Sequence, residues 1–506
     1  MTMLDEERRL ETREAPLEMD PEQFRAAGHR LVDQIAAFMA RIPEGAVTPG
    51  ETPPQVRSVL GAGKSLPQKG DDPAALLDDA ARLLFDHSLF NGHPRFFGFI
   101  TSAPAPVGVL ADLLAASVNP NAGAWVLSPM ASEIEAQTVR WIAELIGYPT
   151  NCGGLLVSGG NMANFVGFLA ARKAKTPWDV RTGGASSPDG RRMRVYTSAE
   201  THTWVQKAAD LFGLGTDAIR WIPVDDNLRM RTDALRTQLA EDMAAGDIPL
   251  LVVGTAGSVS TGAIDPLREI AAICKEHDLW FHVDGAYGGF AAALPDAPPD
   301  IKALSLADSV AIDPHKWLYA PLEAGCTLVR DATALHDAFN YHPVYYHLGD
   351  YEEPGINYHE YGPQNSRGFR ALKVWLALRQ AGREGYVRMI SDDIALNQRM
   401  YDFVKEQEEL EAFTHDLSIC TFRYVPSDLK TGTAEAEQYL NKLNTELVTR
   451  LQNCGEAFVS NTVINDKFLV RACIVNFRTG LQDVRALPSI VVRHGRELDA
   501  EMRQAT

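Results

Sequence analysis

Asp313-Pro314-His315-Lys316-Trp317 follows directly on the apolar run Ser309-Val310-Ala311-Ile312, and the rest of the chain is read from this junction. The run has the composition of a buried strand. A lysine just past its end is a long cation delivered to the edge of a sheet, where α/β proteins keep their ligand crevices. Desolvated there, a lysine loses its proton easily and can attack a carbonyl to form a Schiff base. Taken alone, Lys316 reads as a surface residue. A second stretch changes the weighing: Leu279-Trp280-Phe281-His282-Val283-Asp284 ends another apolar strand on a carboxylate, followed by Gly285-Ala286-Tyr287-Gly288-Gly289. An acid and a lysine at the ends of two strands can face one cofactor ring from different sides.

Around these two stretches, strands and helices alternate. Strands are expected at 155–157, 194–197, 219–224, 249–254, 279–283, 308–312 and 325–329, with helices between most of them, at 161–174, 232–244 and 266–277 for example. Such alternation predicts a mostly parallel sheet covered on both faces. Before it, Asp20-Pro21 opens an amphipathic helix running to about Ile42. A Pro- and Gly-rich strap spans 43–67, and a second helix spans 72–86. Two helices and a strap outside a core suggest an arm lying on a partner subunit. Residues 331–367 show no period, and a long irregular run inside a compact domain is usually functional or mobile. A helix resumes at 368–382. Beyond about 390, helices at 434–452 and 481–503 and short strands at 417–424, 456–460 and 467–477 read as a separate small α+β domain. The expected division is 1–90 for the arm, 91–385 for the large domain and 386–506 for the small one.

Two more features fall on the same rim of the sheet. Ser158-Gly159-Gly160-Asn161 joins the strand Leu155-Leu156-Val157 to a helix. Glycines let the backbone approach an anion, and a helix N-terminus offers free N–H groups and partial positive charge. The turn lacks the spacing of a dinucleotide fold or a P-loop, which disfavours a nucleotide. His202, in Ser198-Ala199-Glu200-Thr201-His202-Thr203-Trp204, lies just past the strand 194–197. A phosphate seat, a flat histidine, a carboxylate and a lysine on one rim match one cofactor, pyridoxal 5′-phosphate. Asp284 would pair with its pyridine nitrogen, His202 would stack on its ring, and Lys316 would hold its aldehyde.

The totals agree with a soluble enzyme. At 506 residues the chain is too long for one core. A net charge of −18 opposes nucleic acid and anionic membranes, both of which need a basic face. Six cysteines without CxxC spacing suggest neither a zinc site nor a disulfide framework, and fit reduced thiols in a cytoplasm. The first 20 residues carry no apolar core of a signal peptide, and no run approaches a membrane span.

Taken together, HVDGAYGG (282–289), DPHKW (313–317), SGGNMAN (158–164) and RGFRALKVW (367–375) resemble the group II pyridoxal-phosphate decarboxylases, and among them the aromatic-L-amino-acid decarboxylases. The resemblance implies fold type I, the aspartate-aminotransferase-like fold, and a homodimer with a swapped N-terminal arm and active sites at the interface. It implies Lys316 as the Schiff-base lysine, His202 as the ring stacker and Asp284 as the pyridine partner. Ala286 is expected against the ring, His315 near the phosphate, and Gly160 and Asn161 in the phosphate turn. A loop from the partner would deliver Tyr345 to protonate the carbon left by CO₂, where related aldehyde synthases carry phenylalanine. Phe99, Ile100, Gly123 and Trp125 are candidates for the substrate pocket. Gly123 stands where animal enzymes place a bulky aromatic, which would enlarge that pocket. The expected activity is decarboxylation of an L-amino acid, aromatic first. Alternatives are an aromatic aldehyde synthase, a decarboxylase of glutamate or cysteine sulfinate, and a catalytically silent protein-binding dimer. The silent dimer is disfavoured by the intact Lys316, Asp284 and His202.

Overall fold

Seven strands build the central sheet: β1 (Gly153–Val157), β2 (Met193–Ser198), β3 (Ile219–Ile222), β4 (Ile248–Thr255), β5 (Trp280–Asp284), β6 (Ser309–Ile312) and β7 (Gly325–Val329). The structure is a computed structural model that describes residues 3–13, 15–341 and 355–504. Every strand expected in this region is present, within a residue or two at each end. The order is β1-β7-β6-β5-β4-β2-β3. Strands β3, β2, β4, β5 and β6 pair in parallel, while β7 runs antiparallel to both β6 and β1. Because β1 is reversed twice, its C-terminal end emerges on the same edge as those of β2, β4, β5 and β6. One edge therefore collects the ends of six strands, β1 to β6, and the sequence placed its candidate residues after four of them.

Strands β1, β2, β5, β6 and β7 are buried along their whole length, as expected of a sheet covered on both faces. Neighbouring residues divide between two cores. Leu156, Val252, Phe281 and Val310 pack on one side with the helices Pro129–Ile146 and Leu267–Glu276. Leu155, Leu251, Trp280 and Ala311 pack on the other with the helices Gly160–Lys175 and Trp204–Leu211.

The small domain holds a four-stranded antiparallel sheet, ordered β10-β11-β9-β8, from β8 (Leu410–Asp416), β9 (Ile419–Tyr424), β10 (Ser460–Ile464) and β11 (Lys467–Cys473). Helices Ala434–Asn453 and Leu481–Gln504 pack on it and on each other. Two expectations are corrected here. Strand β8 was not foreseen, because its charged and only partly buried residues give no clear alternation. Residues 456–459 precede β10, and Phe458 pairs instead with the aromatic loop 93–99 (HPRFFGF): Phe97 N donates to Phe458 O at 2.7 Å, and Phe458 N to Arg95 O at 3.1 Å.

The run expected to lack regular structure contains a helix, Ala332–Phe339. The Asp331 side chain caps it by accepting from Thr333 N, and Leu335 fixes it in the core. The helix expected over 368–382 extends from Ala371 to Lys405, broken at Gly382, where φ is +63°. Near the N-terminus, Met3–Glu11 is an exposed helix. Helices Pro21–Arg41 and Pro73–Asp86 pair through Phe38 stacked on Phe85, with ring centroids 4.3 Å apart, and an Arg30–Asp78 ion pair of 2.9 Å. The strap between them is pinned to the small domain, where Val47 N donates to Gly455 O at 2.8 Å.

Candidate active site

At the end of β1, Gly159 turns the chain into the helix Gly160–Lys175 with φ of +110°, a conformation that favours glycine. There is no space for anything larger nearby, since a Cβ on Gly325 would lie 2.6 Å from the Gly159 backbone. The turn thus presents the first N–H groups of a four-turn helix to the sheet edge. Behind it, Asn164 Nδ2 donates to Gly160 O at 2.9 Å, and Asn164 Oδ1 lies 2.7 Å from His282 Nε2. His282 Nδ1 lies 2.7 Å from Ser309 Oγ. His282 is fully buried, and desolvation pushes its pKa down to about 4, so the ring is a neutral strut between β5 and the turn.

Two residues on from His282, Asp284 points to the same side of β5. It is almost wholly buried. Its Oδ2 accepts from Trp204 Nε1 at 2.8 Å and its Oδ1 from Ala286 N at 3.2 Å. Trp204 comes from the turn after β2, which also supplies His202. The backbone N–H of Trp204 donates to His202 Nδ1 at 3.3 Å and fixes the ring's attitude. The His202 ring stays open to the cavity. Partial desolvation, opposed by the charge of Asp284, leaves its pKa below the ordinary histidine value.

The turn after β6 brings the third group. Lys316 Nζ lies 3.1 Å from Asp313 Oδ2; the lysine side chain is 19% exposed and the aspartate 2%. His315 Nδ1–H donates to Ala324 O at 2.7 Å, which leaves Nε2 to face Asp313 Oδ2 at 3.7 Å. Ser102 Oγ donates to His315 O at 2.7 Å. Trp317 Nε1 and Tyr319 O–H both donate to Asp393 Oδ2 at 2.8 Å, tying this turn to the helix Ala371–Lys405.

These turns surround a cavity of about 770 Å³. Around it stand Phe99, Ile100, Gly160, Asn161, His202, Asp284, Ala286, His315 and Lys316, all of which sequence reading had singled out. The aromatic loop divides: Phe96 and Phe97 are core residues, while Phe99 is exposed towards the cavity with φ of +51°. Gly123 and Trp125 are not among the residues around this cavity. A Cβ on Gly123 would lie 2.0 Å from Asn365 O, so close backbone packing within the chain already requires the glycine. Trp125 Nε1 donates to Glu133 Oε1 at 2.8 Å. Tyr345 lies outside the described residues. Arg367, the first residue of the RGFRALKVW motif, is buried in a pair with Glu135 and also donates to Leu156 O and Ala122 O.

Sequence reading missed four polar groups of the site: Asn164, Trp204, Asp313 and Arg471. The first three stand inside the quoted motifs, and their partners become visible only in three dimensions. Arg471, on β11 of the small domain, carried no sequence signal. It is 3% exposed and borders the cavity, with Nε donating to Val259 O at 2.7 Å and Nη1 to Phe99 O at 3.1 Å. Its Nη2 is buried without a hydrogen-bond partner among the described residues.

The donor set suits pyridoxal 5′-phosphate: backbone N–H groups for a phosphate, a buried carboxylate for a ring N–H, a flat imidazole, and an amine. A family model described as the pyridoxal-dependent decarboxylase conserved domain matches residues 54–425. An aromatic-L-amino-acid decarboxylase from Bacillus atrophaeus is 33% identical over 470 residues, covering 92% of this chain and 94% of that protein. A phenylacetaldehyde synthase from Arabidopsis thaliana is 28% identical, covering 90% of this chain and 92% of that one. A crystal structure of Oryza sativa TDC with PLP and tryptamine superposes with a TM-score of 0.85 at 25% identity, covering 96% of this chain and 99% of that one. With a family model over most of its length and a relative one-third identical nearly end to end, the chain belongs to the pyridoxal-dependent decarboxylases, carboxy-lyases that act on amino acids with pyridoxal 5′-phosphate as cofactor.

Proposed function

We propose that the enzyme removes the α-carboxylate of an aromatic L-amino acid to give the amine and CO₂. The observation that carries this reading is the convergence of Lys316, Asp284, His202 and the Gly159–Gly160 turn on one cavity. When bound, pyridoxal 5′-phosphate supplies an electron sink for the pair left by the broken Cα bond. The chain's own groups do the rest. N–H groups of the turn and the Asn161 amide hold the phosphate, with His315 close by. Asp284, kept in place by Trp204 and Ala286 N, accepts the ring N–H and so retains the proton there. His202 would stack on the ring, and Ala286 would lie against it. Lys316 Nζ is the amine that anchors the cofactor aldehyde. Tyr345 returns a proton to the substrate carbon once CO₂ has left, an assignment supported by its place in Phe339–Tyr345. Arg471 Nη2, without a hydrogen-bond partner among the described residues, stands on the small-domain wall and is suited to a substrate carboxylate.

Aromatic preference is supported by the name of the Bacillus relative and by Phe99 at the cavity. The Arabidopsis synthase favours the second reading, conversion of the amino acid to an aldehyde. Three further parts belong to the proposal. The enzyme is a homodimer with active sites at the interface, in which Gly123 and Trp125 complete the partner's pocket. It works in the cytoplasm; among the described residues no helix is long and apolar enough to cross a membrane. The chain divides near residues 90 and 385.

Purified protein should be yellow, and borohydride should fix the cofactor on Lys316, as read by peptide mass spectrometry. A substrate panel of Tyr, Trp, Phe, DOPA, Glu and cysteine sulfinate then separates the alternatives. Amine and CO₂ from an aromatic member support the reading. Aldehyde with ammonia and peroxide replaces it with the second reading, and turnover of only the acidic members removes the aromatic assignment.

A further inference from the structure

Asp313 is a buried acidic residue of the site that the proposed chemistry leaves without a task, and its surroundings are unusual. Its side chain is 2% exposed. Its Oδ1 is buried with no hydrogen-bond partner among the described residues. Its Oδ2 lies 3.1 Å from Lys316 Nζ and 3.7 Å from His315 Nε2. The same oxygen is pressed against the phosphate turn, where a Cβ on Gly160 would come within 2.6 Å of it. A carboxylate beside a seat for a phosphate dianion is electrostatically unfavourable unless a cation screens it. Lys316 supplies that cation as an ammonium while its nitrogen is free of the cofactor.

We propose that Asp313 is the docking partner of the Lys316 ammonium: it holds the charged amine whenever Nζ is free of the cofactor. The inference rests on reading Lys316 as the cofactor lysine. Asp313 is then a positioning residue, acting through Lys316. In the cofactor-free protein it parks the amine at the inner end of its reach, and during turnover it receives the amine that the substrate displaces. Holding the charged form opposes premature return of the lysine to the cofactor, because only a neutral amine can attack. The other ionisable groups around the cavity with Lys316 are Asp284 on β5, His202 after β2, His315 on the same turn, Glu323 ahead of β7 and Arg471 on β11, and Cys473 on β11 also feels its charge. Asp284 is already engaged by Trp204 and Ala286 N, and among the described residues Asp313 is the carboxylate recorded within ion-pair distance of Lys316.

The test uses the full-length protein freed of cofactor, so its outcome does not depend on turnover. Lys316 is titrated by its rate of acetylation with trace acetic anhydride across pH 6–11, read by peptide mass spectrometry against surface lysines. In Asp313→Asn the midpoint for Lys316 should fall by about 1 pH unit or more, the size expected on removing an opposite charge at this distance. Its acetylation at neutral pH should rise by about tenfold, and the surface lysines should stay unchanged. An unchanged midpoint overturns the proposal. Should Asp313→Asn fail to fold, Lys316→Met and Lys316→Met/Asp313→Asn serve instead. The single variant, with a buried carboxylate left alone, should lose thermal stability as pH rises through 4–7 relative to the double variant. Parallel profiles overturn the proposal. Failure of borohydride to label Lys316 in the loaded enzyme would count against the cofactor-lysine reading, whereas the acetylation midpoint addresses Asp313 alone.

Discussion

Asp284 can keep a ring N–H in place only if its own position is fixed, and the bond from Trp204 Nε1 is what fixes Oδ2. A hydrogen bond to a buried charge contributes about 1.5–3 kcal/mol. Trp204→Phe keeps the ring in the core and removes only the donor. Its affinity for pyridoxal 5′-phosphate should fall by about 10- to 100-fold, measured by titrating cofactor-free protein and following the cofactor's absorbance, with circular dichroism unchanged. An unaltered affinity would mean that the carboxylate is held by other means. Arg471→Met should raise KM for the amino acid more than it lowers kcat, because the change removes the cation proposed to bind the substrate carboxylate; steady-state kinetics on the best substrate decides. These two residues also mark how far a sequence can be read at this scale. Lys316, Asp284 and His202 were legible because each follows an apolar run, so its place at a strand end could be inferred without knowing its neighbours. Trp204 sat inside a quoted motif with no visible partner, and Arg471 reaches the site from another domain, a relation that no local pattern encodes.

At the scale of elements, the edge is held in register by contacts behind it. Arg367 and Glu135, both buried, bind the helix Pro129–Ile146 to β1, since Leu156 N also donates to Glu135 Oε1 at 2.8 Å. Arg367→Met should destabilise the protein by about 3–5 kcal/mol by leaving Glu135 unpaired, and Arg367→Met/Glu135→Gln should recover much of that loss, as read by urea denaturation. The turn carrying Lys316 is tied instead to the helix Ala371–Lys405 through Asp393, whose fully buried carboxyl is pushed up to about 7 by desolvation. A carboxyl raised in the folded state stabilises the fold while protonated, below the ordinary carboxylate range. That contribution is lost as pH climbs through about 7. The stability advantage of wild type over Asp393→Asn should therefore shrink between about pH 4 and 7, by up to about 4 kcal/mol; a constant difference would show that Asp393 does not resist ionisation. The strands of the large sheet were legible because burial on both faces makes them continuous apolar runs. Strand β8, half-buried in a small sheet, lacked that signature, and the helix Ala332–Phe339 was hidden by a polar, aromatic-rich setting in which only its cap and Leu335 mark it.

For the whole molecule, the decisive surface is the helix Pro106–Val118. Its inner side packs on the helix Ala371–Lys405, with Ala111 buried and Asp112 paired to Lys373 at 3.2 Å. Its outer side presents Leu110, Leu113, Leu114 and Val118, which are 55%, 55%, 54% and 69% exposed. Their spacing puts them on one stripe of the helix, and the arm helices add Phe24, Leu76 and Leu84, also exposed. An exposed apolar stripe of this kind marks a site of association. For the proposed dimer, the cost of exposing this stripe in a separated monomer is what holds the two copies together. Leu113→Asp/Leu114→Asp should convert the enzyme to monomers in light scattering coupled to size exclusion, while near-native circular dichroism persists, because neither side chain belongs to the chain's own core. Activity should fall with the dimer fraction and return as protein concentration rises, which is the behaviour of a site completed by its partner and not of one merely unfolded. A wild-type protein that elutes as a monomer at micromolar concentration, fully active, would remove both the interface and the role proposed for Gly123 and Trp125.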